Sequence, residues 1–394
     1  MIFQEGNRLT LLRCGTDYFP ALLDSIAGAR QLVHLETYIY ADDRAGREVT
    51  QALCDAAKRG ATVRILVDGF GSRHMSMTQR QVLREAGVDL LVFRPEVTAF
   101  RLRRHRLRRM HRKIATIDGQ VAFVGGINIV DDFDEFEAGE FETGEPGQSN
   151  NARLDYAVRI EGPLAAAVSH EAQHLWRRVS WARLRRRGHA DIVLPTPASA
   201  GTQRGALVVR DNLRHRDDIE NAYLDSIAAA RTEIIVANAY FFPGRRFRRA
   251  LEEAAHRGVA VVLLLQGRSD HPLLQYAWRA LYGPLLDSGV RIHEYARGVL
   301  HAKVAVIDAT RATVGSSNID PFSLLLAKEA NIFIDDPEFA HALREDLRIA
   351  IASGANEIAP AHWRSQSIWR KFPHWIAYAL ARISIGLFGY GGQL

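Results

Sequence analysis

The sequence predicts an α/β fold built from two similar halves, with a single site where the halves meet. Three observations carry this. Strand and helix patterns alternate along the chain. Long stretches of the first half recur in the second. One five-residue frame appears twice at identical spacing.

Taken in order, Tyr18 to Ala29 reads as a helix with Phe19, Leu22, Leu23 and Ile26 on one side. Gln31 to Tyr40, QLVHLETYIY, reads as a strand. Arg47 to Lys58 carries Val49, Leu53 and Cys54 at helical spacing, and Arg59-Gly60 ends it. Thr62 to Val67 is a second strand, followed by a helix from Met77 to Ala86 and a strand from Leu90 to Phe93. The second half repeats this order. SIAAARTEIIVANAYFF from Ser226 matches SIAGARQLVHLETYIY from Ser25 with one residue inserted, and AAHRGVAVVLLLQG from Ala254 matches AAKRGATVRILVDG from Ala56. Leu194 to Gly205, rich in Pro, Ser, Gly and Ala, reads as the join. The expected units are residues 1–194, a linker at 195–205, a second half at 206–360 and a tail at 361–394.

The repeated frame is HRKIATIDGQVAFVGGIN, His111 to Asn128, and HAKVAVIDATRATVGSSN, His301 to Asn318. His111, Lys113, Asp118, Gly125 and Asn128 recur as His301, Lys303, Asp308, Gly315 and Asn318. With each residue type near one in twenty, a single such match arises by chance in on the order of 1 in 10⁴ chains of this length. Residues 111–117 alternate as a strand, which puts His111 and Lys113 on one face and Arg112 and Ile114 on the other. Asp118-Gly119 marks a hairpin turn and Gln120 to Val124 the return strand. The second copy turns at Asp308-Ala309-Thr310 and has Ser316 where the first has Gly126.

Converging His, Lys and Asn side chains suit a phosphate. Lysine supplies charge and three donors, and Asn a neutral donor. A neutral imidazole can attack phosphorus, and a charged one can protonate a leaving oxygen. One copy supplies one histidine; two facing copies supply nucleophile and acid. A lone strand histidine is most simply structural, but the doubling favours catalysis. Asp118 and Asp308 belong to the frame, yet a turn aspartate most simply bonds local N–H groups.

These frames resemble the paired HxKxxxxD motifs of the phospholipase D superfamily with its GGxN or GSxN extension, and the resemblance covers nearly the whole chain. Within it, the chain is most similar to bacterial cardiolipin synthases, the B type in particular. The resemblance implies two α/β/α halves about a pseudo-twofold axis and phosphatidyl transfer through a phosphohistidine. His111 would be the nucleophile and His301 the acid. Lys113, Lys303, Asn128, Asn318 and Ser316 would bind the phosphate oxygens. It also implies that an acid opening a later strand holds each imidazole, with Glu329 orienting His301 and Asp155 orienting His111. No metal or cofactor is expected, because two lysines supply the charge and no ligand cluster appears.

Composition fits this. Lys+Arg of 51 against Asp+Glu of 45 gives a net charge of +6, which favours anionic partners. Cys14 and Cys54 read as free thiols in a reducing compartment. Met1 to Leu12 shows no signal peptide, and no apolar run is long enough to span a bilayer. Ala165 to Arg187 is a long helical pattern ending in Trp176, Trp181 and arginines. Arg101 to Arg112 is densely basic, Asp131 to Asn151 is an acidic insert without a counterpart, and the tail sets Trp363, Trp369 and Trp375 beside basic residues. The tail suits a bilayer interface. The expected substrate is phosphatidylglycerol at an anionic membrane surface, with the enzyme peripheral on the cytoplasmic side of the inner membrane. A nucleic-acid phosphodiesterase is the alternative, which the aromatic and basic tail disfavours. The donor lipid and the oligomeric state are not readable.

Overall fold

The computed structural model describes residues 1–95, 108–132, 153–182, 192–211, 214–267, 272–320 and 327–388. The first half runs β1 (Gln4–Arg13), α1 (Cys14–Ala27), β2 (Leu32–Thr37), α2 (Arg44–Lys58), β3 (Thr62–Asp68), α3 (Met77–Glu85), β4 (Asp89–Phe93), β5 (Lys113–Ile117), β6 (Val121–Gly125), β7 (Tyr156–Glu161) and α4 (Pro163–Ala182). The second begins with β8 (Gln203–Arg210), α5 (Asp218–Ala229), β9 (Glu233–Asn238), α6 (Arg245–His256), β10 (Ala260–Gln266), α7 (Pro272–Arg279) and α8 (Tyr282–Asp287). It continues with β11 (Arg291–Tyr295), β12 (Lys303–Ile307), β13 (Arg311–Gly315), β14 (Glu329–Asp335), α9 (Pro337–Gly354) and β15 (Ala355–Glu357). Helices α10 (Pro360–Ser365) and α11 (Ile368–Phe388) close the chain.

The strands form a 15-stranded sheet in the order β15-β11-β10-β9-β12-β13-β14-β8-β1-β7-β6-β5-β2-β3-β4. Read outward from the β8–β1 pair, the two halves present the same order of equivalent strands. That is the pseudo-twofold relation the repeat predicts. β2, β3 and β4 pair in parallel, as do β9, β10 and β11, while the hairpins β5–β6 and β12–β13 are antiparallel. Parallel strands joined by helices need cover on both faces. Helices α1 to α3 bury one face of the first sheet around Leu22, Val49, Leu53 and Ile65. Helices α5 to α8 do the same for the second around Ile219, Leu251 and Leu263. A third core belongs to both halves. Val124, Val158 and Leu164 pack in it with Val304, Val314, Ile332 and Leu343.

Some details differ from expectation. β1 lies at an amino terminus whose alternation was masked by charged residues, and it is the strand that bonds the two halves. β8 starts at Gln203, inside the segment read as linker, because Gln203 pairs with Asn7. The residue taken as inserted after Ser226 is absent: Asp118 binds at Leu32 and Asp308 at Glu233, and Tyr40 and Phe241 make the equivalent bridges to Ile129 and Ile319. The second stretch therefore runs in step with the first through Phe241. Cys14 and Cys54 are unpaired and buried. Residues 101–107 of the basic run, 133–151 of the acidic insert, 183–187 of the helical pattern and 389–394 of the tail lie outside the described residues.

Candidate active site

Each frame folds as the alternation dictates. Lys113 opens β5 and Lys303 opens β12, each two residues after a histidine that precedes the strand. Lys113 Nζ donates to the His111 carbonyl at 2.8 Å, and Lys303 Nζ donates to the His301 carbonyl. Both lysines are buried, so their charges must act inside the site rather than in bulk water.

The carboxylates arrive from the opposite half. His111 Nδ1 lies 3.0 Å from Glu329 Oε1, and His301 Nδ1 lies 2.6 Å from Asp155 Oδ2. The expected pairing, Glu329 with His301 and Asp155 with His111, is therefore corrected: the partners are exchanged. Backbone pairing is the reason. Met110 forms a parallel bridge with Lys328, and Leu154 forms one with Leu300. The segment entering each carboxylate strand thus lies beside the segment entering the other half's frame. The amides confirm it, with His111 N donating to Lys328 O at 3.0 Å and His301 N to Leu154 O at 2.9 Å. A carboxylate at Nδ1 requires the proton on that nitrogen, which fixes the tautomer of each neutral ring.

The Met110–Lys328 and Leu154–Leu300 bridges bring the two frames together. Asp155 is buried, which pushes its carboxyl up to about 6 against the pull of both Lys303 and Lys113. One carboxylate thus feels the lysine of each frame. Its other oxygen accepts the Tyr156 N–H at 2.8 Å. Glu329 is braced differently, by the Ser316 hydroxyl, which donates to Oε2 and accepts the Ala330 N–H at 3.1 Å. Ser316 is expected from the sequence to bind substrate phosphate, but its hydroxyl is engaged by Glu329 and the Ala330 N–H, so it supports the carboxylate instead. Gly126 stands at the equivalent place because a Cβ there would lie 2.2 Å from Asp155 Oδ1. A shorter acid sits closer to its backbone and leaves no room for a side chain.

Asp118 and Asp308 are not at the reacting end. Asp118 accepts from the N–H groups of Arg30, Gln31 and Leu32 at 2.7–2.8 Å. Asp308 accepts from those of Arg231, Thr232 and Glu233 at 2.8–3.1 Å. Seven residues of extended chain place each roughly 20 Å from its histidine. They staple the hairpin turn to the start of β2 or β9, the local N–H bonding expected of a turn aspartate, and although they belong to the frame they do not join its catalytic group. Asn128 is buried, and its Oδ1 accepts the Ile39 N–H at 3.1 Å. Asn318 is buried too, with no hydrogen-bond partner for Oδ1 among the described residues.

Two features escaped the sequence reading. Tyr38 packs edge-on to His111, ring centroids 4.9 Å apart, and Lys113 Nζ lies 5.5 Å from the same ring. Behind the first frame, Arg112 bonds Glu36 through Nε and Nη2 at 2.7 and 2.9 Å and Glu171 through Nη1 at 2.7 Å. His34 Nε2 lies 3.2 Å from Glu36. Burial works to raise the Glu36 carboxyl, but the Arg112 guanidinium and His34 hold it down at about 2. The signal for this network was the polar His34 and Glu36 two apart in an otherwise apolar strand. Among the described residues, no group of three or more His, Cys, Asp or Glu could hold a metal ion.

The family described as "Cardiolipin synthase, PLD-like domain" matches residues 22–132 and 223–349. Cardiolipin synthase B of Escherichia coli is 39% identical over 98% of this chain and 91% of its own length. Cardiolipin synthase of Staphylococcus aureus is 30% identical over 96% of this chain and 74% of its own. Among solved structures, phosphatidylserine synthase of Haemophilus influenzae superposes with a TM-score of 0.67 at 12% identity, over 95% of this chain and 92% of that one. That likeness speaks to the fold alone. With a matching model in both halves and relatives aligned nearly end to end, the chain belongs to the cardiolipin synthase family of phospholipase D-like phosphatidyltransferases.

Proposed function

We propose that this chain makes cardiolipin by moving a phosphatidyl group from one phospholipid to phosphatidylglycerol. The observation that carries the reading is the pair of imidazoles, each held at Nδ1 by a carboxylate of the opposite half, around a site that contains two buried lysines. Neutral His111 Nε2 attacks the donor phosphorus. The bond from phosphorus to the headgroup oxygen breaks, and His301, protonated at Nε2, gives that oxygen its proton. A phosphatidyl-histidine remains. The free hydroxyl of phosphatidylglycerol then loses its proton to His301 and attacks phosphorus, and the P–N bond breaks to restore His111. With phosphatidylglycerol as donor, the alcohol released is glycerol. Lys113, Lys303, Asn128 and Asn318 hold the non-bridging oxygens, where charge grows in each transition state.

The relatives' names favour lipid over nucleic acid as substrate. The tail supports work at a membrane surface. Helix α11 docks on α7 through His374, Ala377 and Ala381, while Trp369 (79% exposed), Phe372, Trp375, Ile376, Leu380 and Ile383 face outward. Arg370 and Lys371 lie beside them. An apolar face with Trp and basic residues suits the headgroup boundary. No described helix is long and apolar enough to cross a bilayer. Replacing Trp369 and Trp375 with Glu should release the protein from phosphatidylglycerol vesicles in a sedimentation assay. Undiminished vesicle binding would remove this role for α11. For the chemistry, the wild type should convert labelled phosphatidylglycerol vesicles to cardiolipin and glycerol, and His111→Ala should not. Activity in that variant, or cleavage of plasmid DNA in place of lipid transfer, would overturn the reading.

A further inference from the structure

We infer that Tyr38 is a positioning residue for the transfer reaction, holding the His111 ring and the Lys113 ammonium together at the phosphate. The inference rests on the proposed phosphatidyl transfer. Tyr38 follows β2 directly, and its ring meets His111 at 4.9 Å with an interplanar angle of 64°. A single hydrogen-bonded nitrogen leaves an imidazole free to tilt about that bond. Glu329 fixes His111 at Nδ1, and the Tyr38 ring restrains the tilt that would swing Nε2 off the phosphorus. The same ring lies 5.5 Å from Lys113 Nζ, close enough for its quadrupole to attract the ammonium. Lys113 is thus held between the His111 carbonyl and the Tyr38 ring, with His111 and Lys113 in one rigid group.

The surroundings keep Tyr38 in place. The Ser72 hydroxyl donates to its carbonyl at 2.8 Å. The loop after β3 presses on it so closely that a Cβ at Gly71 would lie 2.4 Å from the Tyr38 carbonyl and 2.9 Å from its ring. The second half has Ala239 at the equivalent position, whose methyl cannot serve either purpose. The device belongs to the first frame, the one with the proposed nucleophile. A nucleophile needs an aimed lone pair, and a misplacement of about 1 Å costs on the order of 100-fold.

The test compares Tyr38→Phe, Tyr38→Ala and Tyr38→Leu in cardiolipin formation from phosphatidylglycerol vesicles, with melting temperature recorded for each. Tyr38→Phe should keep kcat within about threefold, because the ring does the work. Tyr38→Ala should lose roughly 10- to 100-fold in kcat with KM within about threefold. Tyr38→Leu should lose as much, and it decides the matter if the alanine variant does not fold. The inference is overturned if the Ala and Leu variants both keep wild-type kcat, or if Tyr38→Phe falls as far as they do. Absence of transfer by the wild type would instead overturn the proposed function.

Discussion

The two halves share one frame and differ in what braces it. On the reactive face they are nearly the same: histidine, lysine and a carboxylate from across the interface. On the reverse face they diverge. The first half buries Arg112, Glu36 and His34 behind its frame, and the second has Ala302, Ala237 and Ile235 at the equivalent places. The carboxylates diverge too. Asp155 leans on the Tyr156 amide, and Glu329 leans on the Ser316 hydroxyl. The repeat keeps the histidine and lysine of the frame and differs in what lies behind them. Support needs only rigidity, which an ion network or an apolar core can each supply.

The largest effects should come from breaking the exchanged pairs. Glu329→Gln and Asp155→Asn should each lower kcat by on the order of 10²- to 10⁴-fold, since each removes the charge behind an imidazolium. The Asp155 pair also carries a pH dependence. Burial raises the Asp155 carboxyl to about 6, so it takes up a proton below that pH and no longer stabilises the His301 imidazolium. Activity of the wild type should then fall on the acid side of about 6, measured as kcat against pH. Stability moves the other way. A carboxyl raised in the folded state stabilises most below its ordinary value near 3.9 and loses that contribution as pH rises through about 6.

Next in size is the network behind the first frame. Arg112→Ala leaves Glu36 charged and buried, which costs about 3–5 kcal/mol. Replacing Arg112 and Glu36 together with Met and Leu should recover most of it. Urea unfolding measures both. Glu36 is depressed to about 2, so its stabilising contribution is present above about 4.3 and is lost as pH falls toward 2. The second half has no such dependence at Ala237. Equal loss in the single and double variants would show that the network is not a unit.

The smallest test concerns the hairpin turns. Gly119 occupies the first turn at φ +66°, and Ala309 occupies the second at φ +52°. A side chain in the left-handed region costs roughly 1–2 kcal/mol. Ala309→Gly should therefore raise stability by up to about 1 kcal/mol after the flexibility glycine adds to the unfolded chain. A thermal scan that shows a lower melting point would contradict this.

Much of the site was legible because chemistry needs particular side chains at fixed strand spacing. His111, Lys113, His301, Lys303, Asp155 and Glu329 all stood out in the sequence and all come together. The α/β order was legible from alternation and from the repeat. What was not legible depended on pairing between segments far apart. Which carboxylate serves which histidine follows from the Met110–Lys328 and Leu154–Leu300 bridges, and nothing local encodes them. Tyr38 looked like one more aromatic in a strand until the fold set it against His111. Ser316 aligned with a glycine, and only the length of the neighbouring acid explains the difference.

The central claim is that each half supplies the carboxylate for the other half's histidine. The most direct measurement is nuclear magnetic resonance of protein labelled with ¹⁵N at histidine, reading the far-downfield Nδ1–H protons. Glu329→Gln should remove the His111 signal from that region and leave the His301 signal in place, and Asp155→Asn should do the reverse. If Glu329→Gln instead displaced the His301 proton and spared that of His111, each half would be serving itself and the exchanged arrangement would be wrong.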